Sequence, residues 1–229
     1  MFMDEMKYFL DNPYVDKFID EKIHILLDES DRGILVVGMS LIDIELEETL
    51  KIIAPTNMTQ NEKKWINNAS FASKLNILYI SRWFPRNLFS AVNKLNKIRN
   101  KVAHNSKKVD LNEYDSELKD IFELLGNGVS VFIHNKSTKI LADITINELS
   151  KIKDPSNQKN FFADHKSVLE YLSKYDNNID NKLEKPIQKM KFSIGILLIN
   201  ALIISYREES LKILEKNKII SLVPIRPRW

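Results

Sequence analysis

Turn-forming residues are scarce along this chain, and that scarcity constrains its fold more than any other feature. Only 5 glycines and 7 prolines occur among 229 residues, too few for the many turns that an all-β protein of this length needs. Apolar residues instead recur at three- and four-residue steps, as they do along one face of an α-helix. One such stripe comprises Leu35, Met39, Ile42, Leu46, Leu50 and Ile53. We therefore expect a mainly all-α protein.

This stripe predicts a long helix between two local signals. Ser30 or Asp31 can cap its N-terminus, and Pro55 disfavours a helical residue before it. The same periodicity predicts a helix that begins at about Ser70, a second that begins after Pro85 and ends just after His104, and further helices over residues 111–125, 161–175 and 185–216. Residues 56–69 are polar and are predicted to form a loop with at most one turn. Residues 129–146 carry enough β-branched side chains for a short hairpin or edge strand.

Composition excludes several classes of protein. The chain has no cysteine, which rules out a disulfide scaffold, a cysteine-ligated metal and a thiol nucleophile, and which suits a reducing compartment. The acidic N-terminus lacks the basic region of a signal peptide. The most apolar run, residues 192–206, is shorter than the roughly 20 residues that span a bilayer, and it contains Asn200. We expect a cytoplasmic protein that buries this run and does not contact a membrane.

Charge is unevenly distributed, although the net charge is only +3. Residues 1–50 contain 13 acidic and 4 basic side chains, whereas residues 51–110 contain 12 basic and 2 acidic ones. The basic segment can attract phosphates. It can equally pack beside the acidic segment so that the two fields largely cancel, and charge alone leaves both interpretations open.

The segment LNKIRNKVAHN, residues 95–105, places three reactive or charge-binding groups on one predicted helix. At about 100° per residue, its apolar positions face the core and Arg99 lies at the edge of that face. Asn100 and His104 lie one turn apart, largely opposite the core. Histidine has an ordinary pKa of about 6.5, and the carbonyl groups at a helix C-terminus favour its protonated form. His104 is therefore a credible proton-transfer group.

Cleavage of RNA by transesterification is the chemistry that suits these groups. An imidazole can take the proton of a ribose 2′-hydroxyl or donate one to the leaving oxygen, and a guanidinium can hold the phosphate and stabilise the developing charge. Asn100 can orient His104 or a phosphate oxygen. The alternative is structural: Arg99 pairs with Asp43 or Glu47, and His104 merely caps the helix. The four histidines have no metal-binding spacing and no glycine-rich phosphate loop occurs, so we predict no metal and no other cofactor.

Three blocks of sequence resemble the mannitol operon repressor (MltR-like) family. They are ESDRGILVVGMSLIDIELEETLKIIAP (29–55), ASFASKLNILY (69–79) and LNKIRNKVAHN (95–105), and a final apolar segment, MKFSIGILLINALI (190–203), follows in the expected place. The R-N-x-x-x-H pattern also resembles the defining motif of the HEPN superfamily. The resemblance implies an α-helical bundle formed by residues 1–125 and 187–217, with 126–186 as an insertion and 218–229 as a tail.

The same resemblance implies a homodimer in which the Arg/His helices of two copies meet at a shared cleft. Many HEPN proteins are metal-independent endoribonucleases of toxin–antitoxin or antiviral defence systems, whereas others keep the fold without catalysis. Carried over by position, the catalytic residues are Arg99, Asn100 and His104. The expected contacts to RNA phosphates are Arg32, Lys97 and Lys101.

In the D-R-G block, Asp31 is expected to cap its helix and Gly33 to permit close helix packing. Packing does not explain Arg32. Two functions from different classes stay open at this point. One is a ribonuclease, with RNA as substrate and an antitoxin as a protein partner. The other is a non-catalytic transcriptional regulator that works through protein–protein contacts, because the chain shows no helix-turn-helix with a basic recognition helix.

Overall fold

The computed structural model of this protein describes residues 2–54, 57–104, 109–153, 159–162, 164, 166–167 and 179–217. In that part of the chain the regular structure is helical, apart from an isolated β-bridge between Lys153 and Asn160. The α-helices, in chain order, are α1 (Phe2–Leu10), α2 (Pro13–Leu27), α3 (Asp31–Ile53), α4 (Gln60–Asn68), α5 (Phe71–Ile80), α6 (Arg86–His104), α7 (Asp115–Leu125), α8 (Val129–Ser150) and α9 (Ile179–Asn217). A 3-10 helix, Leu111–Tyr114, directly precedes α7. The fold is all-α.

Helix α9 forms the centre of the bundle. From residue 190 to residue 204 every side chain except Lys191 is buried, and the helix packs against α2, α3 and α8. Two glycines allow close approach: a Cβ on Gly195 would overlap the ring of Phe122 from α7, and a Cβ on Gly38 of α3 would lie 2.8 Å from Ile196. A helix that is apolar on all sides needs such complete burial.

The apolar part of α9 is also the segment that a membrane test selects. Within the described residues, Lys185–Ile213 alone is long and apolar enough to cross a bilayer, with a mean hydropathy of 1.6 in its most apolar window. However, 78% of that window is buried inside the protein. This burial is what the core helix of a soluble protein shows, and it agrees with the expectation of a buried run.

Most of the predicted helices are confirmed. Helix α3 begins after Ser30, whose Oγ accepts the N–H of Gly33 at 3.1 Å, and it ends at Ile53 before the proline. The helices predicted from about Ser70, from Pro85 to just after His104, over residues 111–125 and over residues 185–216 are present as α5, α6, the 3-10 helix with α7, and α9. The three- and four-residue recurrence of apolar side chains was a sufficient signal for each of them.

The loop predicted over residues 56–69 is wrong, because residues 60–68 form α4. A capping box starts this helix: Thr59 Oγ1 accepts the N–H of Glu62 at 3.3 Å, and Glu62 Oε2 accepts the N–H of Thr59 at 2.6 Å. Only Ile66 of α4 is buried, so the helix carries almost no apolar periodicity. Its start signal is in the cap and not in the hydrophobic pattern.

The hairpin or edge strand considered for residues 129–146 is also not what forms, because those residues belong to α8. Val129 and Ile133 are buried in the main hydrophobic cluster, and the helix packs against α7 and α9. Packing on neighbouring helices therefore overrides the β preference of the side chains. The first half of α8, within the predicted insertion 126–186, shares the core of the bundle.

The helix predicted over residues 161–175 and the predicted tail lie largely outside the described residues. Of that helix, residues 161 and 162 are in a bend, whereas residues 166 and 167 are helical. The predicted tail, 218–229, lies entirely outside the described residues.

Candidate functional site

Helix α6 carries the R-N-x-x-x-H motif in its last two turns. Its apolar stripe is buried against the rest of the bundle and comprises Leu88, Ala91, Val92, Leu95, Ile98 and Val102. The helix packs against α7, α3 and α5. Because this stripe is packed against the bundle, the opposite face of α6, which is rich in Lys and Asn, lies on the surface. The motif is thus part of a rigid element and not of a loop.

Arg99 and Asn100 are brought together by a direct hydrogen bond. The Nη1 group of the half-buried Arg99 donates to Oδ1 of Asn100 at 2.9 Å. The Nε–H of the same guanidinium is buried and has no hydrogen-bond acceptor in the described part of the chain. No carboxylate pairs with Arg99 among those residues. This hydrogen bond directs the guanidinium toward Asn100, whose side chain is exposed. The Nε–H of Arg99 stays without an acceptor among the described residues.

The alternative ion pair between Arg99 and an acidic residue of α3 does not form. The carboxylates of Asp43 and Glu47 accept instead from Lys74 of α5, whose Nζ lies 3.1 Å from Asp43 Oδ2 and 2.9 Å from Glu47 Oε2. Burial alone would lower the pKa of the Lys74 ammonium, but its hydrogen bonds to Glu47 and Asp43 outweigh this effect and raise the pKa above 10.5. The acidic and basic segments do meet here, but through Lys74.

His104 lies in the last turn of α6 and is exposed. Its side chain makes no hydrogen bond or ion pair within the described residues, and residues 105–108 lie outside them. On an α-helix, Asn100 and His104 are offset by about 40° around the axis and by roughly 6 Å along it. The guanidinium head, the amide and the imidazole therefore lie along one exposed edge near the helix end.

The expected phosphate contacts on α6 differ in their surroundings. Lys101 is paired with Glu117 of α7 at 3.0 Å, and both side chains are well exposed. Lys97 is exposed and has no ion-pair partner in the described part of the chain. Lys94, which the sequence patterns did not single out, lies one turn before Lys97 and two turns before Lys101, and is likewise exposed without such a partner there. Together they extend the basic face of α6 toward its N-terminus.

The D-R-G block at the start of α3 differs from expectation in two details. Ser30, and not Asp31, caps the helix. Asp31 Oδ2 instead accepts the N–H of Leu111 at 3.3 Å, which fastens the start of the 3-10 helix to the start of α3. The side chain nearest to Gly33 is that of Glu29, from the preceding turn of chain, and not that of a neighbouring helix. Gly33 therefore does not serve close helix packing.

Arg32 lines a cavity of about 950 Å³ between the start of α3, the 3-10 helix and α9. Two lysines of α9 that the sequence reasoning missed, Lys185 and Lys189, line the same cavity. Val109, also in its wall, follows His104 by five residues, a length of chain that spans at most about 18 Å. The D-R-G block and the end of α6 therefore lie at the same end of the bundle.

None of five surface cavities in the described part of the chain is lined by Arg99, Asn100 or His104. In a single copy, Asn100 and His104 are exposed and Arg99 is half-buried. Comparison with known proteins identifies no relative: no family model, no curated protein and no solved structure matches the chain. The resemblance to the MltR-like and HEPN proteins stays a prediction from the sequence blocks.

Proposed function

We propose that this protein is a metal-independent endoribonuclease that acts as a homodimer, with Arg99, Asn100 and His104 as its catalytic group. One observation carries the proposal: among the described residues the Arg99 guanidinium is held by Asn100 and by no carboxylate, and Asn100 lies one turn from an exposed imidazole. A cation that its own fold does not neutralise is available to a phosphate. The resemblance of residues 95–105 to the HEPN motif points to the same chemistry.

The reaction follows from the groups on α6. His104 takes the proton of a ribose 2′-hydroxyl, the 2′-oxygen attacks the adjacent phosphorus, and the bond from phosphorus to the 5′-oxygen breaks. The leaving 5′-oxygen receives a proton from the imidazolium of the second copy's matching His104. Arg99 stabilises the negative charge that develops on the phosphate oxygens. The products are a 2′,3′-cyclic phosphate and a 5′-hydroxyl.

A second copy supplies what one copy lacks. The groups of one protomer line none of five surface cavities in the described part of the chain. Two α6 faces related by a twofold axis would enclose a cleft lined by both Arg99–Asn100 pairs and both histidines. The basic face that Lys94 and Lys97 extend would then line its approach, where it attracts the RNA backbone.

In this proposal the protein works in the cytoplasm, where RNA is its substrate and the lack of cysteine suits the reducing conditions. Its activity would need restraint, so an antitoxin-like protein partner belongs to the same proposal. The HEPN resemblance supports the toxin or defence setting.

The test is cleavage of a single-stranded RNA by the purified protein in EDTA. We expect products that end in a 2′,3′-cyclic phosphate, and a loss of roughly 100-fold or more for His104→Ala and for Arg99→Ala. Matched controls are His134→Ala, an exposed histidine of α8, and Arg86→Ala, an exposed arginine in the first turn of α6. Equal rates for the wild type and His104→Ala would refute the proposal.

A second function, regulation through protein contacts, is favoured by a different surface. Ile80 is 77% exposed and Ile213 is 53% exposed, and both line a cavity that also includes Trp83. Exposed apolar groups around a groove mark protein interaction sites. If regulation is the function, His104→Ala represses a transcriptional reporter as well as the wild type does, whereas Ile80→Glu does not.

A further inference from the structure

The cavity beside Arg32 is lined by cationic side chains that lie far apart in the sequence. Arg32 comes from the first turn of α3, and Lys185 and Lys189 come from α9, more than 150 residues later. Its volume of about 950 Å³ is within the range of natural ligand sites. The carboxylates in its wall are those of Asp31 and Asp110.

Both carboxylates are engaged in holding the protein's own backbone. Asp31 Oδ2 accepts the N–H of Leu111 at 3.3 Å, and Asp110 Oδ1 accepts the N–H of Asn112 at 3.0 Å. Lys185 lies 3.5 Å from Asp110 in a largely exposed pair, which neutralises little in water. The described wall of the cavity therefore carries three cationic side chains and two carboxylates, an excess of one positive charge, and both carboxylates also hold the backbone.

Lys189 is held in place without losing its charge. Its Nζ donates to the carbonyl oxygen of Leu27, at the end of α2, at 2.5 Å. No carboxylate pairs with it in the described part of the chain. A carbonyl oxygen fixes an ammonium group but does not neutralise it, so this lysine presents a positioned positive charge at the cavity wall.

We propose that this cavity binds a phosphate group of the same RNA strand that α6 cleaves, a few nucleotides from the scissile bond. The proposal rests on the proposed function and adds a second phosphate subsite to it. Val109 lines the cavity, and its Cα atom lies at most about 18 Å from that of His104, because only five residues of chain connect them. A strand of a few nucleotides spans this distance. Three cations on two helices then determine the direction in which the strand leaves the catalytic cleft.

The experiment measures binding, so that its outcome does not depend on catalysis. A fluorescent single-stranded RNA of about ten nucleotides is titrated against the full-length His104→Ala protein at several salt concentrations. Adding Arg32→Gln or Lys185→Gln should weaken binding about tenfold and lower the slope of log affinity against log salt by about one. Lys139→Gln on α8, which removes an exposed lysine elsewhere, should change neither quantity.

Inorganic phosphate distinguishes the two sources of this ligand chemistry. If RNA occupies the cavity, millimolar phosphate competes with RNA in the His104→Ala protein and loses that effect in Arg32→Gln. Unchanged RNA affinity and salt slope in both Arg32→Gln and Lys185→Gln would overturn the subsite, even if free phosphate still binds. Loss of affinity in those variants, combined with no cleavage by the wild type, would retain the cavity and refute the nuclease.

Discussion

The cations of this protein occupy two contrasting environments. Lys74 and Lys136 are almost fully buried, and each is held by two carboxylates of another helix. Lys74 pairs with Asp43 and Glu47 of α3. At the end of α6, Arg99 has only the neutral amide of Asn100 as a partner, and His104 has none in the described part of the chain.

Lys136 repeats the first arrangement on the other side of the bundle. Its Nζ lies 2.8 Å from a carboxylate oxygen of Asp16 and 2.8 Å from one of Asp20, both on α2. Burial would lower the pKa of this ammonium, but the hydrogen bonds to both aspartates outweigh burial and raise the pKa above 10.5. A buried charge needs such compensation to be tolerated.

The difference shows which cations the fold uses for its own stability. The two lysines join helices, and the carboxylates that they contact neutralise their charge. Within the described residues the buried Nε–H of Arg99 has no acceptor, and an unsatisfied buried donor costs about 1–3 kcal/mol. The fold tolerates this cost at the end of α6, in the same turns as His104, and our proposal therefore places the chemistry at that end.

The largest expected effect is on the free energy of unfolding, which should respond differently to loss of a buried lysine and to loss of Arg99. Lys74→Met leaves Asp43 and Glu47 without their shared partner and should lower the free energy of unfolding by about 2 kcal/mol. This value is at the low end because Lys51 still pairs with Glu47 at 2.8 Å and both carboxylates touch solvent. Arg99→Met should change it by less than about 1 kcal/mol, because the apolar chain keeps the packing and the removal of the unsatisfied donor offsets the loss of the hydrogen bond to Asn100.

Urea denaturation of the two variants beside the wild type gives both values. A loss in Arg99→Met as large as that in Lys74→Met would mean that Arg99 is a structural cation. The contrast between the two environments would then be wrong, and with it the reason for assigning catalysis to α6.

A smaller effect concerns the pH dependence of the Lys74 cluster. Hydrogen bonds from Lys51 and then from Lys74 lower the pKa of Glu47 below 4.5. A carboxylate with a depressed folded-state pKa stabilises the fold above its unfolded pKa, and this contribution is lost as the pH falls through the folded value. The stability difference between the wild type and Glu47→Gln should therefore be below about 1 kcal/mol near neutral pH and shrink under pH 4.5.

The measurement is the free energy of unfolding of both proteins at several values between about pH 7 and pH 3.5. A difference that stays constant across this range would mean that the ionised carboxylate contributes nothing to the cluster. Acidic loss of stability would then have to come from other carboxylates.

Sequence patterns predicted most of the helices that bury an apolar stripe and failed where other forces decide. Helix α2 is the exception: its buried Val15, Ile19, Ile23 and Leu26 recur at three- and four-residue steps, yet it was not among the predicted helices. Helices α3, α5, α6, α7 and α9 each carry that stripe. Helix α4 depends on the capping pair Thr59 and Glu62, a signal visible in the sequence that its polar composition obscured. Helix α8 depends on packing and on the contact of Lys136 with α2, which no local pattern shows.

The candidate site divides in the same way. The positions of Arg99, Asn100 and His104 follow from one helix and its 100° step, so the sequence could place them on their faces. The partner of Asp43 could not be read locally, because Lys74 reaches it from another helix, 31 residues along the chain. The cavity beside Arg32 was hidden for the same reason, since Lys185 and Lys189 come from α9, more than 150 residues further along the chain.

The smallest predicted effect concerns Lys101, which is paired with a carboxylate, as the buried lysines are, but lies on the exposed face of α6. Its contact with Glu117 is exposed, with side-chain exposures of 62% and 44%, so Glu117→Gln should change the free energy of unfolding by less than about 0.5 kcal/mol. It should nevertheless strengthen RNA binding roughly two- to fivefold at low salt, because a phosphate then gains an unpaired ammonium and loses a nearby negative charge. Glu148→Gln is the matched control, since it releases Lys151 from a similarly exposed pair on α8. If both variants strengthen RNA binding equally, the gain reflects overall charge, and Lys101 has no place in the RNA contact that we assign to α6.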